Sequence, residues 1–196
     1  GRFMRRHIKP ILICALDTGM RKGEILKLEW GDVSFDENLL MVRAETTKTL
    51  EPKDIPISKR LRRELETMYA DQKPKSSDKV FRRKILGKHG GKQVREPHYV
   101  EIQDNFQTAW EGILRDAQVE DFVWHDSRHD ATTKMVVSGM SESLVKKITG
   151  HKNLDMFMRY LNPSADELNR EFLHFEAYRA AAELTKAGQT AQEMVN

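Results

Sequence analysis

The chain has one cysteine in 196 residues, and it has no apolar run near the roughly 20 residues that a bilayer span needs. A single thiol excludes an internal disulfide. Cys14 lies within Ile11-Leu12-Ile13-Cys14-Ala15-Leu16, where a small buried thiol is expected rather than a nucleophile. A reducing cytosol fits this usage, so a cytoplasmic location is expected. No charged-then-apolar leader ending in small residues is present, and nothing points to a membrane or to export. The first residue is Gly1 rather than Met, which suggests a piece of a longer protein. Internal repeats and low-complexity segments are also missing.

What is present is an apolar content of 39%, enough for one real core with at most a small extension. The net charge of +3 hides a segregation: residues 1–100 hold 23 Lys+Arg against 14 Asp+Glu, and residues 101–196 hold 10 against 16. Between Lys73 and Arg95 stand nine bases (Lys73, Lys75, Lys79, Arg82, Arg83, Lys84, Lys88, Lys92, Arg95) and one acid, Asp78. Such a run is either a solvated loop or a track for a polyanion, where each neutralised phosphate releases counterions.

The periodicity predicts a mainly helical chain with one small antiparallel sheet, an α+β fold. Helices are expected over 6–16, stopped by Thr18-Gly19, and over 21–28, opened by Arg21. Residues 33–43 and 54–57 alternate like a meander, turning at Glu37-Asn38 and again between Thr46 and Lys53, a loop that carries Lys48. Ser58 caps a helix to about residue 70, and 73–78 and 87–91 read as loops. Further helices are expected over 99–117, 126–138, 141–148 (Ser141 as cap, Gly150 as stop), 153–159 and 164–186. Trp30, Trp110 and Trp124 read as core residues.

Taken singly, the polar residues that draw notice have bland explanations; their co-occurrence does not. His125-Asp126-Ser127-Arg128-His129 puts a His and an Arg three apart, on one face of a helix. Gly150-His151-Lys152 then opens a segment ending Arg159-Tyr160-Leu161-Asn162-Pro163. Together with Thr18-Gly19-Met20-Arg21-Lys22-Gly23-Glu24-Ile25, followed by Leu28, Trp30 and Asp32, and with Lys48 in a hairpin turn, these motifs resemble the tyrosine recombinases and phage integrases in order and spacing. The resemblance covers about 140 residues. Ser127, Asp130 and Thr149 depart from it: the family usually has an aliphatic residue at the first position, Thr or Ser at the second and a more apolar residue at the third. An acid beside Arg128 is expected to weaken its hold on an anion.

The resemblance implies the tyrosine recombinase catalytic-domain fold over 1–163. A C-terminal helix and tail over 164–196 would dock on a neighbouring subunit through Leu168, Phe172, Phe175, Tyr178 and Ala182, or pack on its own core. An upstream DNA-binding domain would lie outside this fragment. The implied activity is site-specific cleavage and rejoining of double-stranded DNA by a homotetramer, for integration or excision of a mobile element or prophage, with accessory DNA-bending or directionality proteins. Tyr160 would be the nucleophile; Arg21, Arg128 and His151 would hold the scissile phosphate; Lys48 would protonate the leaving oxygen and His125 would accept the tyrosine proton. Glu24 would orient Arg21.

No metal or other cofactor is implied, since two arginines supply the positive charge. A metal site at His125 and His129 has helical spacing, but the segment lacks a matching acidic base and Asp126 points off that face. His7, His89, His98 and His174 show no partner pattern. Two alternatives stay open: relaxation of supercoils in the manner of a type IB topoisomerase, and a DNA-binding module without chemistry.

Overall fold

The computed structural model describes residues 7–47, 51–89, 92–102 and 106–155, together with Ala165, Asn169, Phe172, Leu173, Glu176, Ala177 and Arg179. Lys48 and Tyr160 lie outside the described residues, as do Leu168, Phe175, Tyr178, Ala182 and the predicted 153–159 helix beyond residue 155. The chain divides into two compact units, Gly1–Phe157 and Met158–Asn196.

In the first unit the order is α1 (Ile8–Thr18), α2 (Lys22–Lys27), β1 (Val33–Ser34), β2 (Leu39–Val42), β3 (Lys53–Pro56), α3 (Lys59–Gln72), β4 (Arg82–His89), β5 (Lys92–Glu101), α4 (Gln107–Ala117), α5 (Asp126–Val137) and α6 (Glu142–Thr149). Pro10 falls in the first turn of α1, where its missing N–H costs nothing. Gly19 ends that helix in the left-handed region (φ 64°), and a Cβ there would stand 3.1 Å from the Thr149 methyl. Ser58 accepts from the Leu61 N–H at 3.1 Å and caps α3 as its sequence predicts.

Strands β1, β2 and β3 form an antiparallel meander in that order, with Leu40 opposite Ile55 and Val42 opposite Lys53. Alternation puts Leu40, Val42, Ile55 and Lys53 on the buried face and leaves Met41 and Asp54 outside. The main core joins Ile8, Ile11, Cys14 and Ala15 of α1 to Ile25, Leu40, Ile55, Leu61 and Leu65. Trp30 (5% exposed) and Trp110 (3%) are core residues as expected, and Trp124 packs against them half-buried. A smaller cluster, Val136, Val145 and Leu154, joins α5 and α6.

The sequence-based expectation fails in one region. Where a loop over 87–91 and a helix from Tyr99 are expected, residues 82–89 and 92–101 form a second, two-stranded antiparallel sheet, in which Arg82 pairs with Glu101 and Lys84 with Tyr99. The helix expected from Tyr99 begins only at Gln107. Tyr99 is held in the strand by distant partners: its hydroxyl donates to the Asp71 carboxylate at 2.5 Å, and Arg82 and Lys84 lie over its ring at 5.3 and 5.6 Å.

The described positions of the second unit, from Ala165 to Arg179, are helical and exposed, Phe172 at 60%. Among the described residues no helix is long and apolar enough to cross a membrane.

Candidate active site

Arg21, the N-cap residue of α2, follows the Gly19 turn directly. Glu24, three residues on, folds back: its Oε2 accepts the Arg21 backbone N–H at 3.1 Å and its Oε1 accepts Nη1 at 3.0 Å. The Arg21 side chain remains 30% exposed, while that of Glu24 is 2% exposed.

Arg128 lies on the inner face of α5 and is 2% exposed. Its Nη1 donates to the carbonyls of Gly19 and Thr149, the latter at 2.6 Å, and its Nε donates to Nε2 of His151 at 3.2 Å. These carbonyls end α1 and α6, and helix C-termini carry partial negative charge, which compensates a guanidinium taken out of water. Nη2 is buried with no hydrogen-bond partner among the described residues. A native core rarely leaves such a donor unsatisfied. Burial, and then Arg21, bring the Arg128 pKa down to about 10 against the pull of Glu24, so it stays charged near neutrality.

His151 follows Gly150, whose left-handed backbone (φ 70°) ends α6 and turns the chain back toward Arg21. Because Arg128 Nε can only donate, His151 Nε2 must accept, which puts the ring proton on Nδ1. Nδ1 lies 2.9 Å from Thr149 Oγ1, and that hydroxyl in turn donates to the Val145 carbonyl at 2.7 Å. Thr149, the departure from the family pattern, thus fixes the tautomer. Burial, with Arg128, Arg21, His129 and His125 adding to it, drives the His151 pKa down to about 4.

His125 precedes α5, its ring edge-to-face with that of His129 at 4.8 Å. Burial, His129, Arg128 and Arg21 push its pKa below the ordinary value, against Asp126. Arg21, His125, Arg128 and His151, which the sequence picks out separately, therefore share one electrostatic neighbourhood. The other two departures have partners of their own. Ser127 is buried but donates to the Trp124 carbonyl at 2.6 Å, and Asp130 is turned to Lys134 at 2.6 Å.

Sequence reasoning missed Lys53. Its side chain is 5% exposed and its Nζ lies 2.8 Å from Glu24 Oε2. The available signal was alternation, which puts Lys53 on the same strand face as Ile55. Burial lowers its pKa against the hold of Glu24, with Arg128 and Arg21 adding to the depression. Burial raises the Glu24 carboxyl, but Lys53 and Arg21 bring it below the ordinary value.

The basic run is partly consumed inside the fold. Lys79 pairs with Glu29 at 2.9 Å and Lys84 with Asp71 at 2.7 Å, carboxylates from outside the run, and Arg82 pairs with Asp78 within it at 3.3 Å. Arg83 is exposed.

The phage integrase family profile matches residues 4–167. The chain belongs to the phage integrase family. Among relatives in that family, the integrase of Salmonella phage P22 is 24% identical over 163 residues, covering 82% of this chain and 40% of the relative. The shufflon-specific DNA recombinase of Escherichia coli is 26% identical over 155 residues, covering 79% of this chain and 34% of the relative. The chain therefore spans less than half the length of either. Among solved structures, the Tn1549 transposon integrase in complex with a circular intermediate DNA superposes with a TM-score of 0.57 at 17% identity, over 88% of this chain and 62% of that one. The fold is that of the recombinase catalytic domains, mostly helical with small antiparallel sheets.

A consequence for stability follows from His151. The unfolded chain takes up a proton near pH 6.5, while the folded chain refuses it until about pH 4. Stability attributable to this group is full above pH 6.5 and is lost as pH falls from 6.5 toward 4. For a half-exposed ring this amounts to about 1 kcal/mol after solvent screening. Urea midpoints measured between pH 7 and 4 are expected to fall less steeply for His151→Gln than for the parent. Parallel profiles would remove His151 as their cause.

Proposed function

We propose that this chain is the catalytic domain of a site-specific recombinase that cuts and rejoins DNA through a 3′-phosphotyrosine at Tyr160. The observation that carries this reading is the buried, unpartnered Nη2 of Arg128, in a centre shared with Arg21 and His151. A phosphodiester supplies the missing acceptor, and planar guanidinium forks suit its two non-bridging oxygens. The matched relatives, an integrase and a site-specific recombinase, favour recombination over relaxation of supercoils.

In this reading Arg21 and Arg128 hold the scissile phosphate and stabilise the charge that builds on it. His151 joins them when a phosphate oxygen displaces its bond from Arg128 and Nε2 takes up a proton from solvent, which the adjacent anion favours, so that the imidazolium donates to the phosphate. The phenol oxygen of Tyr160 attacks phosphorus and its proton passes to His125. As the bond to the 5′ oxygen breaks, that oxygen takes a proton from Lys48. Religation runs the same steps backward with a new 5′ hydroxyl. Tyr160 and Lys48 enter on their sequence positions. The chemistry needs no metal ion, because the two guanidiniums supply the positive charge. Double-stranded DNA is the substrate, and a homotetramer, with accessory bending or directionality proteins, is the working assembly.

The test is a nicked suicide duplex carrying the ends of the element, incubated with the chain in EDTA. A covalent protein–DNA band with a free 5′ hydroxyl is expected. Tight binding with no band would reduce the chain to a binding module. The exposed part of the basic run is tested separately at Arg83. Arg83→Glu is expected to weaken DNA binding on every sequence and to lower the slope of log affinity against log salt by about 1. An unchanged slope would take this strand off the DNA.

A further inference from the structure

Lys53 stands in the buried centre with no part in the chemistry described. It is the only side chain besides Arg21 recorded as donating to the Glu24 carboxylate among the described residues. The division of that carboxylate is informative. Oε1 takes a single bond from Arg21 Nη1, whereas Oε2 takes Lys53 Nζ and the Arg21 backbone N–H. An arginine next to a carboxylate ordinarily closes a two-bond fork on it, using both oxygens. Here the second oxygen is occupied, and Arg21 is left with one bond to Glu24. Its Nε and Nη2 have no partner among the described residues, and its side chain keeps 30% exposure.

We propose that Lys53 is a positioning residue that occupies the second oxygen of Glu24 and so keeps the Arg21 fork open for a phosphate. The inference rests on the reading of Arg21 as a phosphate-holding group.

The surroundings fit this role. Lys53 ends the buried row of β3, opposite Val42, so strand pairing fixes its Cα. A Cβ at Gly150 would lie 3.4 Å from its Cδ, 3.5 Å from its Nζ and 3.9 Å from Arg21 Nη1. The bare backbone at the end of α6 thus leaves room for ammonium and guanidinium side by side. Two cations share one carboxylate, which leaves excess positive charge for an incoming anion. Without the ammonium, Glu24 would compete with the substrate for Arg21. An arginine drawn back by about 1 Å can cost about 100-fold in rate, because the reaction depends on orientation.

The decisive variant is Lys53→Met, of similar length and without the charge. Its Arg21 guanidinium, read by nitrogen-15 arginine spectra or a crystal structure, is expected to close on both oxygens of Glu24. Its single-turnover cleavage rate on the suicide duplex should drop about 10- to 100-fold, while the final yield of covalent product and DNA affinity stay near parent values. A role in folding alone would lower the yield and leave the rate constant of the folded fraction unchanged, and would overturn the proposal. Adding Glu24→Gln to Lys53→Met removes the competitor, so part of the lost rate should return; a double variant as slow as the single one argues for a scaffold instead. Lys53→Leu also removes the donor from Oε2 and is read in the same two ways should the Met variant fail to fold. If Arg21 keeps one bond to Glu24 in these variants, the proposal is wrong whatever the activity. If the parent chain forms no covalent product, the functional reading fails while the guanidinium measurement still decides this one.

Discussion

Replacing Tyr160 by Phe is expected to abolish the covalent protein–DNA band and leave DNA affinity almost unchanged. The substitution removes one oxygen and keeps the ring, whereas the proposed reaction loses the atom that would bond to phosphorus. Removing the nucleophile of an enzyme costs on the order of 10⁶-fold when no substitute attacks, and here the only substitute is water, which would give no protein-linked product. Affinity comes mainly from cations that neutralise phosphates, and a phenol contributes little to it. The measurement is a denaturing gel of a suicide-substrate reaction beside a binding titration. A band of parental intensity from Tyr160→Phe would move the nucleophile elsewhere; Tyr69, Tyr99 and Tyr178, which lack an upstream Gly-His pair, are the controls.

The second large effect is expected at Arg128, and it falls on stability and chemistry together. Arg128→Ala leaves the Gly19 and Thr149 carbonyls and His151 Nε2 without the donor that satisfies them in a buried place. Stranded buried acceptors cost about 1–3 kcal/mol each, less whatever water recovers, so a loss of roughly 3 kcal/mol is expected. Cleavage by molecules that remain folded should fall by about 10²- to 10³-fold, the usual effect of removing one preorganised donor. Arg128→Lys separates the two roles, because an ammonium restores charge but not the fork that reaches two carbonyls and an imidazole at once. It should recover part of the stability and little of the cleavage. A melting temperature within a degree or two of the parent for Arg128→Ala would refute the structural half of this argument, and parental cleavage rates would refute the other.

The residues of the candidate site could be read from the sequence only where a motif fixes both type and spacing. The Thr18-Gly19-x-Arg21 turn, the His125-x-x-Arg128 helix start and the Gly150-His151 stop are short-range patterns. The structure brings their side chains together because helices α1, α5 and α6 end or begin at the same place. Lys53 escaped because its meaning depends on Glu24, 29 residues earlier, and a lysine beside a loop looks solvated until a strand turns it inward. The pairing of Lys79 with Glu29, 50 residues away, escaped for the same reason, and with it the difference between paired and exposed bases in the basic run. The second sheet was misread because 99–117 carries apolar residues at helical spacing, while what holds Tyr99 in a strand is Asp71 at the end of another element. Thr149 is intermediate: its departure from the family pattern was visible, but its hold on the imidazole proton was not.

The bond from Arg128 to Gly19 joins residues 109 positions apart, and its bond to Thr149 joins residues 21 apart. One guanidinium therefore closes the chain's long-range topology and completes the centre proposed to hold phosphate in the same event. A chain still emerging from the ribosome, or partly unravelled by heat, carries Arg21, Arg128 and His151 but not the centre they form. Under the function proposed above, such a molecule holds DNA through its exposed bases but does not cut it, so only copies that have finished folding act on a genome.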